Sequence, residues 1–110
     1  MLFRSRENLI MRAVNSALMQ TFTNIEIIVV DNQSSDTTFD VVRMAAKWDR
    51  RLKCYQNSKN IGAINNFKKA IQYSRGDYVV LLGSDDWLEP DYIKNKIEII
   101  KKYQIGRAHV

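Results

Sequence analysis

Two adjacent carboxylates, Asp85 and Asp86, follow Gly83 and Ser84 at the end of the apolar run 78–82. Hard divalent cations take oxygen ligands, and Mg²⁺ typically uses one or two carboxylates while substrate phosphates and water complete its shell. A pair held at the end of a buried strand could therefore hold Mg²⁺ or Mn²⁺ against a diphosphate. Asp and Ser are also common turn residues, so the same string suits a solvated turn. Asp31 and Asn32 end a second apolar run, 25–30, where a side chain could accept hydrogen bonds from a base or ribose. Residues of these types also simply terminate strands. Ser34, Ser35 and Asp36 read most economically as the N-cap region of a following helix. Asn60, Ile61 and Gly62 could shape a loop near phosphates. Neither GxGxxG nor GxxxxGK[ST] occurs, so dinucleotide and P-loop chemistry gain no support.

These residues must be positioned by the elements around them. In 6–20, Ile10, Val14 and Leu18 recur four apart with Ala13 and Ala17 alongside, the stripe of an amphipathic helix. Residues 25–30 are β-branched and nearly uncharged, as suits a strand buried on both faces of a parallel sheet. Phe39, Val42 and Ala46 return to helical spacing up to about Trp48. A second strand is expected at 52–56, and a third helix carries Ile64, Phe67 and Ile71 and closes near Ser74. Residues 78–82 read as a third strand, and Pro90 opens a last helix with Ile93, Ile97 and Ile100 on one face. Strands and helices alternate, which gives a mainly parallel α/β sheet. Ligands of such sheets bind beyond the carboxyl ends of the strands, where the loops after Val30 and Leu82 lie. Trp48 and Trp87 are expected to pack, Lys68, Lys69, Lys101 and Lys102 to be solvated, and Cys54 to face the core.

Composition narrows the function classes. The 110 residues carry 17 basic and 12 acidic side chains, one Cys and one His, and are 45% hydrophobic. A single cysteine cannot form an internal disulfide or a Cys-rich zinc site, and His109 stands next to the last residue, so a His-centred triad is excluded. No apolar run approaches the roughly 20 residues of a membrane helix, and no signal-peptide pattern is present. Both ends read as foreign. Residues 2–5 fit CTC TTC CGA TCT and residues 105–110 fit ATC GGA AGA GCA CAC GTC. These strings contain reverse complements of each other and match a short-read sequencing adapter. On this reading 1–5 and 105–110 are translated adapter and the natural insert is 6–104. Arg4, Arg107 and His109 then drop out, and the remaining positive charge is too mild to suggest nucleic acid.

In order, the residues resemble the nucleotide-binding half of a family-2 glycosyltransferase with the GT-A fold. The resemblance covers 6–104 and rests on Ala17-Leu18-Met19-Gln20-Thr21-Phe22, on Glu26-Ile27-Ile28-Val29-Val30-Asp31 running into Asn32-Gln33-Ser34-Ser35-Asp36, and on Asn60-Ile61-Gly62 with Asn66. It continues through Arg75-Gly76-Asp77-Tyr78 to Leu81-Leu82-Gly83-Ser84-Asp85-Asp86, with Pro90 shortly after.

The resemblance implies that Asp86 coordinates the divalent metal, Mn²⁺ or Mg²⁺, and that Asp85 supports metal and sugar nucleotide, with Ser84 beside it. Asp31 and Asn32 would lie against the nucleoside, with Asn60 and Gly62 near the nucleotide. The partners implied are a nucleoside-diphosphate sugar and a saccharide or lipid-linked acceptor. The implied setting is cell-surface polysaccharide synthesis in the cytoplasm or at the cytoplasmic face of the membrane. Many relatives have a second acid at Asn32 and an Asp at Gly83, so the DxD pattern is reduced here to Ser-Asp-Asp. The family's first strand, ending in a Pro-x-Tyr-Asn-like segment, would precede residue 6. The acceptor half with its catalytic base would follow Gln104, so the chain is expected to be an inactive fragment with no catalytic residue of its own. Two other readings remain open: a noncatalytic nucleotide-binding or interaction module with a degenerate GT-A fold, and a receiver-like signalling domain. The latter lacks a later strand-end lysine.

Overall fold

The computed structural model describes the backbone of residues 2–33 and 37–108, and the side chains of 9–33 and 37–103. Its elements are α1 (Leu2–Leu18), β1 (Ile27–Asp31), α2 (Thr38–Ala46), β2 (Leu52–Gln56), α3 (Ala63–Tyr73) and α4 (Tyr92–Ala108). Strands β1 and β2 pair in parallel, with Ile27 opposite Leu52, Val29 opposite Cys54 and Asp31 opposite Gln56.

Side chains alternate across a strand, so Ile27 and Val29 share one face. Together with Leu52 and Cys54 they meet Val14 of α1 and Val42 of α2, and Ile10, Met11, Leu18, Ala45 and Ala46 pack around this cluster. The i, i+4 spacing of Ile10, Val14 and Leu18 turns that stripe of α1 onto the sheet. Burying a valine such as Val42, which is 1% exposed, contributes about 1.5–3 kcal/mol. On the opposite face the ring of Tyr55 stacks on Tyr73 of α3 at 3.9 Å. The sheet thus lies between α1 and α2 on one side and α3 on the other.

Long-range hydrogen bonds close the layers. Arg51 Nη2 donates to Leu18 O at 2.9 Å, satisfying a carbonyl that the end of α1 leaves unpaired, and Nη1 donates to Thr23 O at 3.3 Å. The same guanidinium holds Asp49 through Nε at 3.1 Å and Nη2 at 3.0 Å. These bonds keep the Asp49 carboxyl below its usual range and raise the guanidinium further. Helix α1 stops at Leu18 rather than Gln20, because the Gln20 side chain turns back to cap Ser16 O at 3.1 Å.

Several expectations change. Residues 78–82 join no ladder, and Tyr78, Val79, Val80 and Leu81 are 45–57% exposed. Their composition favours a strand, but a strand exists only where neighbouring backbone groups accept its hydrogen bonds, and among the described residues none does so as a ladder. Trp48 is 88% and Trp87 53% exposed, so neither is a core residue. Trp48 falls just beyond α2, past the last turn that faces the sheet. Helix α3 forms as expected, yet Ile64, Phe67 and Ile71 remain exposed. Cys54 does pack against the core, as expected, and burial pushes its thiol up. Thr37 takes the N-cap place of α2, while Ser34, Ser35 and Asp36 lie outside the described residues, as does His109. No helix among the described residues is long and apolar enough to cross a membrane.

Candidate nucleotide and metal site

A parallel pair delivers both carboxyl ends to the same edge of the sheet. There the chain leaves β1 at Asp31 and Asn32 and leaves β2 at Asn57. A cleft of about 290 Å³ opens at this edge, lined by Val30, Asp31 and Asn32, by Ile10 of α1, by Phe39 and Val42 of α2, by Asn66 of α3, and by Ser84 and Asp85. Four of the seven residues expected to bind nucleotide or metal, Asp31, Asn32, Ser84 and Asp85, therefore meet in one cleft although more than fifty positions separate the two pairs.

The wall around Asn32 is built from amides. Asn32 Oδ1 accepts from Ile61 N at 2.9 Å and from Asn57 Nδ2 at 3.2 Å, while Asn32 Nδ2 donates to Asn60 Oδ1 at 3.0 Å. Asn57, 8% exposed, also donates to Asn66 Oδ1 at 2.8 Å, and Asn66 Nδ2 donates to Val30 O at 3.0 Å. Asp31 Oδ2 accepts from Gln56 Nε2 at 3.1 Å. Gln33 sits in the left-handed region at φ 60 and bridges Ser58 O and Asn60 N.

Asn60 and Gly62 do not line the cleft; they brace it. Asn60 Oδ1 accepts from Gly62 N at 2.9 Å as well as from Asn32. Gly62 turns the chain into α3 at φ 84, ψ 158, a conformation essentially reserved for glycine.

Asp86 also lies outside the cleft lining. A Cβ built on Gly83 would stand 2.6 Å from Asp86 Oδ2 and 3.4 Å from Asp85 Oδ1, so both carboxylates lean over the same side of Gly83. The turn is closed by Asp86 N donating to Gly83 O at 3.1 Å. Two carboxylate oxygens converging over a bare backbone fit a hard divalent cation. Among the described residues no group of three or more acidic, imidazole or thiol side chains occurs, so water and a bound diphosphate would complete the shell.

Sequence reasoning singled out the carboxylates but not their supports. Asn57 carried no signal beyond being a polar loop residue, and Gln33 and Asn66 entered only through the family resemblance. The comparisons with known proteins show the family. The model of glycosyl transferase family 2 matches residues 1–106. The chain belongs to glycosyltransferase family 2. It is similar to EpsH of Bacillus subtilis (strain 168), 38% identical over 92 residues, which is 83% of this chain and 26% of that relative. It is 32% identical over 102 residues to glycosyltransferase GlyA of Streptococcus pneumoniae, covering 93% of this chain and 14% of GlyA. It is 35% identical over 92 residues to WfaP of Escherichia coli, named as a UDP-Glc:alpha-D-GlcNAc-diphosphoundecaprenol beta-1,3-glucosyltransferase, covering 84% of this chain and 36% of WfaP. The chain thus spans about a third or less of the length of these family-2 relatives.

Proposed function

We propose that this chain is the donor-side part of an inverting, metal-dependent glycosyltransferase that moves a sugar from a nucleoside-diphosphate donor to an acceptor hydroxyl in polysaccharide synthesis. The observation that carries the reading is the meeting of Asp31 and Asn32 with Ser84 and Asp85 in one cleft. Asp31 and Asn32 form the wall for the nucleoside, and the Ser84–Asp86 turn takes the diphosphate end. Asp85 and Asp86 would hold a divalent cation, Mn²⁺ or Mg²⁺, which supplies neutralisation of the diphosphate's charge.

In the reaction the acceptor oxygen bonds to the anomeric carbon, the bond from that carbon to the diphosphate oxygen breaks, and the diphosphate leaves with the electron pair. The hydroxyl proton passes to a carboxylate base that we assign to the part of the family-2 relatives this chain does not span. The fragment is then expected to bind donor without transferring sugar. WfaP's name supports a sugar nucleotide as donor and a lipid diphosphate as acceptor.

The test is calorimetric titration of UDP, GDP and dTDP with and without Mn²⁺, repeated with Asp86→Asn. Binding that needs Mn²⁺ and weakens at least tenfold in the variant is expected, about 1.4 kcal/mol of lost affinity. Equal affinity in both proteins would sink the reading. Nucleotide binding without sugar transfer by the protein extended to its relatives' length would instead favour a noncatalytic module.

A further inference from the structure

Arg12, Ser16 and Gln20 recur every four residues, so they form one stripe along α1 and its end. Each is hydrogen-bonded to the backbone of the 85–93 segment. Arg12 Nη2 donates to Asp85 O at 2.9 Å. Ser16 Oγ accepts from Leu88 N at 3.0 Å, and itself donates to Ala13 O at 2.7 Å. Gln20 uses both ends of its amide: Nε2 donates to Glu89 O at 2.6 Å and Oε1 accepts from Ile93 N at 3.0 Å. Next to this stripe, Thr21 N donates to Pro90 O at 3.0 Å.

Gln20 is 3% exposed, and a buried amide satisfied at both ends fixes its partners more strictly than a solvated one. The contacts follow the segment in step, from the carbonyl of Asp85 itself to the first turn of α4. A helix packed on the sheet therefore sets the distance between the carboxylate turn and the strand ends that carry Asp31 and Asn32.

We propose that Arg12, Ser16 and Gln20 are positioning residues that hold the Asp85–Asp86 turn in register with the cleft and so set its affinity for a cation–diphosphate. The affinity role rests on the function proposed above; the positioning role does not. Two measurements separate them: amide hydrogen exchange at Leu88 and Ile93 in the metal-free chain, and Mn²⁺-dependent binding of UDP, GDP and dTDP. Gln20→Leu is expected to abolish protection at Ile93 and Ser16→Ala to reduce it at Leu88. Exposed Arg12→Ala should leave the melting temperature unchanged while weakening Mn²⁺-dependent binding about fivefold, the effect of one lost hydrogen bond, with Arg12→Lys recovering part of it. Unchanged binding in Arg12→Ala together with unchanged protection in the other two variants would overturn the proposal and leave the functional reading intact. Lost protection without any Mn²⁺-dependent binding by the unsubstituted chain would overturn the functional reading and the affinity role together.

Discussion

Asn32 donates its amide to Asn60 Oδ1 at 3.0 Å, tying the end of β1 to the turn that enters α3. Because Asn60 Oδ1 also receives Gly62 N, the Asn60 amide cannot flip without losing a bond. An aspartate at position 32 would keep both acceptor contacts but place a carboxylate oxygen against Asn60 Oδ1. Asn32→Asp is expected to destabilise the chain by about 1–2 kcal/mol, read as a lower urea midpoint at unchanged slope. A double variant, Asn32→Asp with Asn60→Ser, should regain part of the loss.

The two glycines of the site differ in why they are glycines. At Gly62 a Cβ would meet nothing within 4 Å, so Gly62→Ala is disfavoured only by its backbone at φ 84. The expected cost is about 1–3 kcal/mol of stability, measured by chemical denaturation.

At Gly83 the added Cβ would press on Asp86 Oδ2 at 2.6 Å, and an exposed carboxylate can rotate away. Gly83→Ala should therefore change the melting temperature little and weaken Mn²⁺ binding several-fold, about 1 kcal/mol. Titration of Mn²⁺ followed by its paramagnetic resonance signal reads this directly.

Asp49 and Arg51 predict an acid limb. The Asp49 carboxyl is lowered by its hydrogen bonds to the Arg51 side chain and backbone, so the folded state binds fewer protons than the unfolded one near the unfolded value of about 3.9. The stabilisation is present above that value and is lost as pH falls through the folded value. Asp49→Asn is expected to flatten stability against pH in this window, as measured by urea midpoints at successive pH values.

Cys54 behaves in the opposite sense. Burial raises its thiol, against the weaker opposing pull of Arg43. The unfolded thiol, near pH 8.5, ionises first, so stability falls as pH rises past that value. Alkylation of the folded chain by iodoacetamide at pH 8 should be slower than that of free cysteine, and Cys54→Ala should remove the alkaline loss of stability.

The elements most legible from sequence are those fixed by local rules. Strand β2 falls at 52–56 as expected, and α3 starts after Gly62 and ends before Ser74, where the flanking residues break the helix. Strand β1 begins at Ile27 rather than at residue 25, because Ile25 N closes a tight turn onto Thr23 O while Ile27 N is the first to reach Arg51 O. Residues 78–82 carry the strongest strand composition in the chain and still lack a ladder, since pairing is a property of neighbours and not of composition. Asp31 was legible because the end of β1 places it, whereas Asp85 and Asp86 stand in a turn that no strand directly precedes among the described residues. The amides of Asn57 and Gln20 were not legible, because each bonds partners brought close only by the fold; Gln20 and Ile93 stand 73 positions apart.

The asparagine network around Asn32 is held by amide-to-amide and amide-to-backbone bonds, and among its members Asn32, Asn57, Asn60 and Asn66 none is charged; Asp31 beside them is. Ionic strength screens charges and leaves such bonds nearly untouched. The shape of this network is thus set independently of salt, whereas attraction of an anionic ligand to the cation proposed at Asp85 and Asp86 would not be. On the proposed function, added salt should slow and weaken capture of the diphosphate while leaving discrimination among nucleosides unchanged.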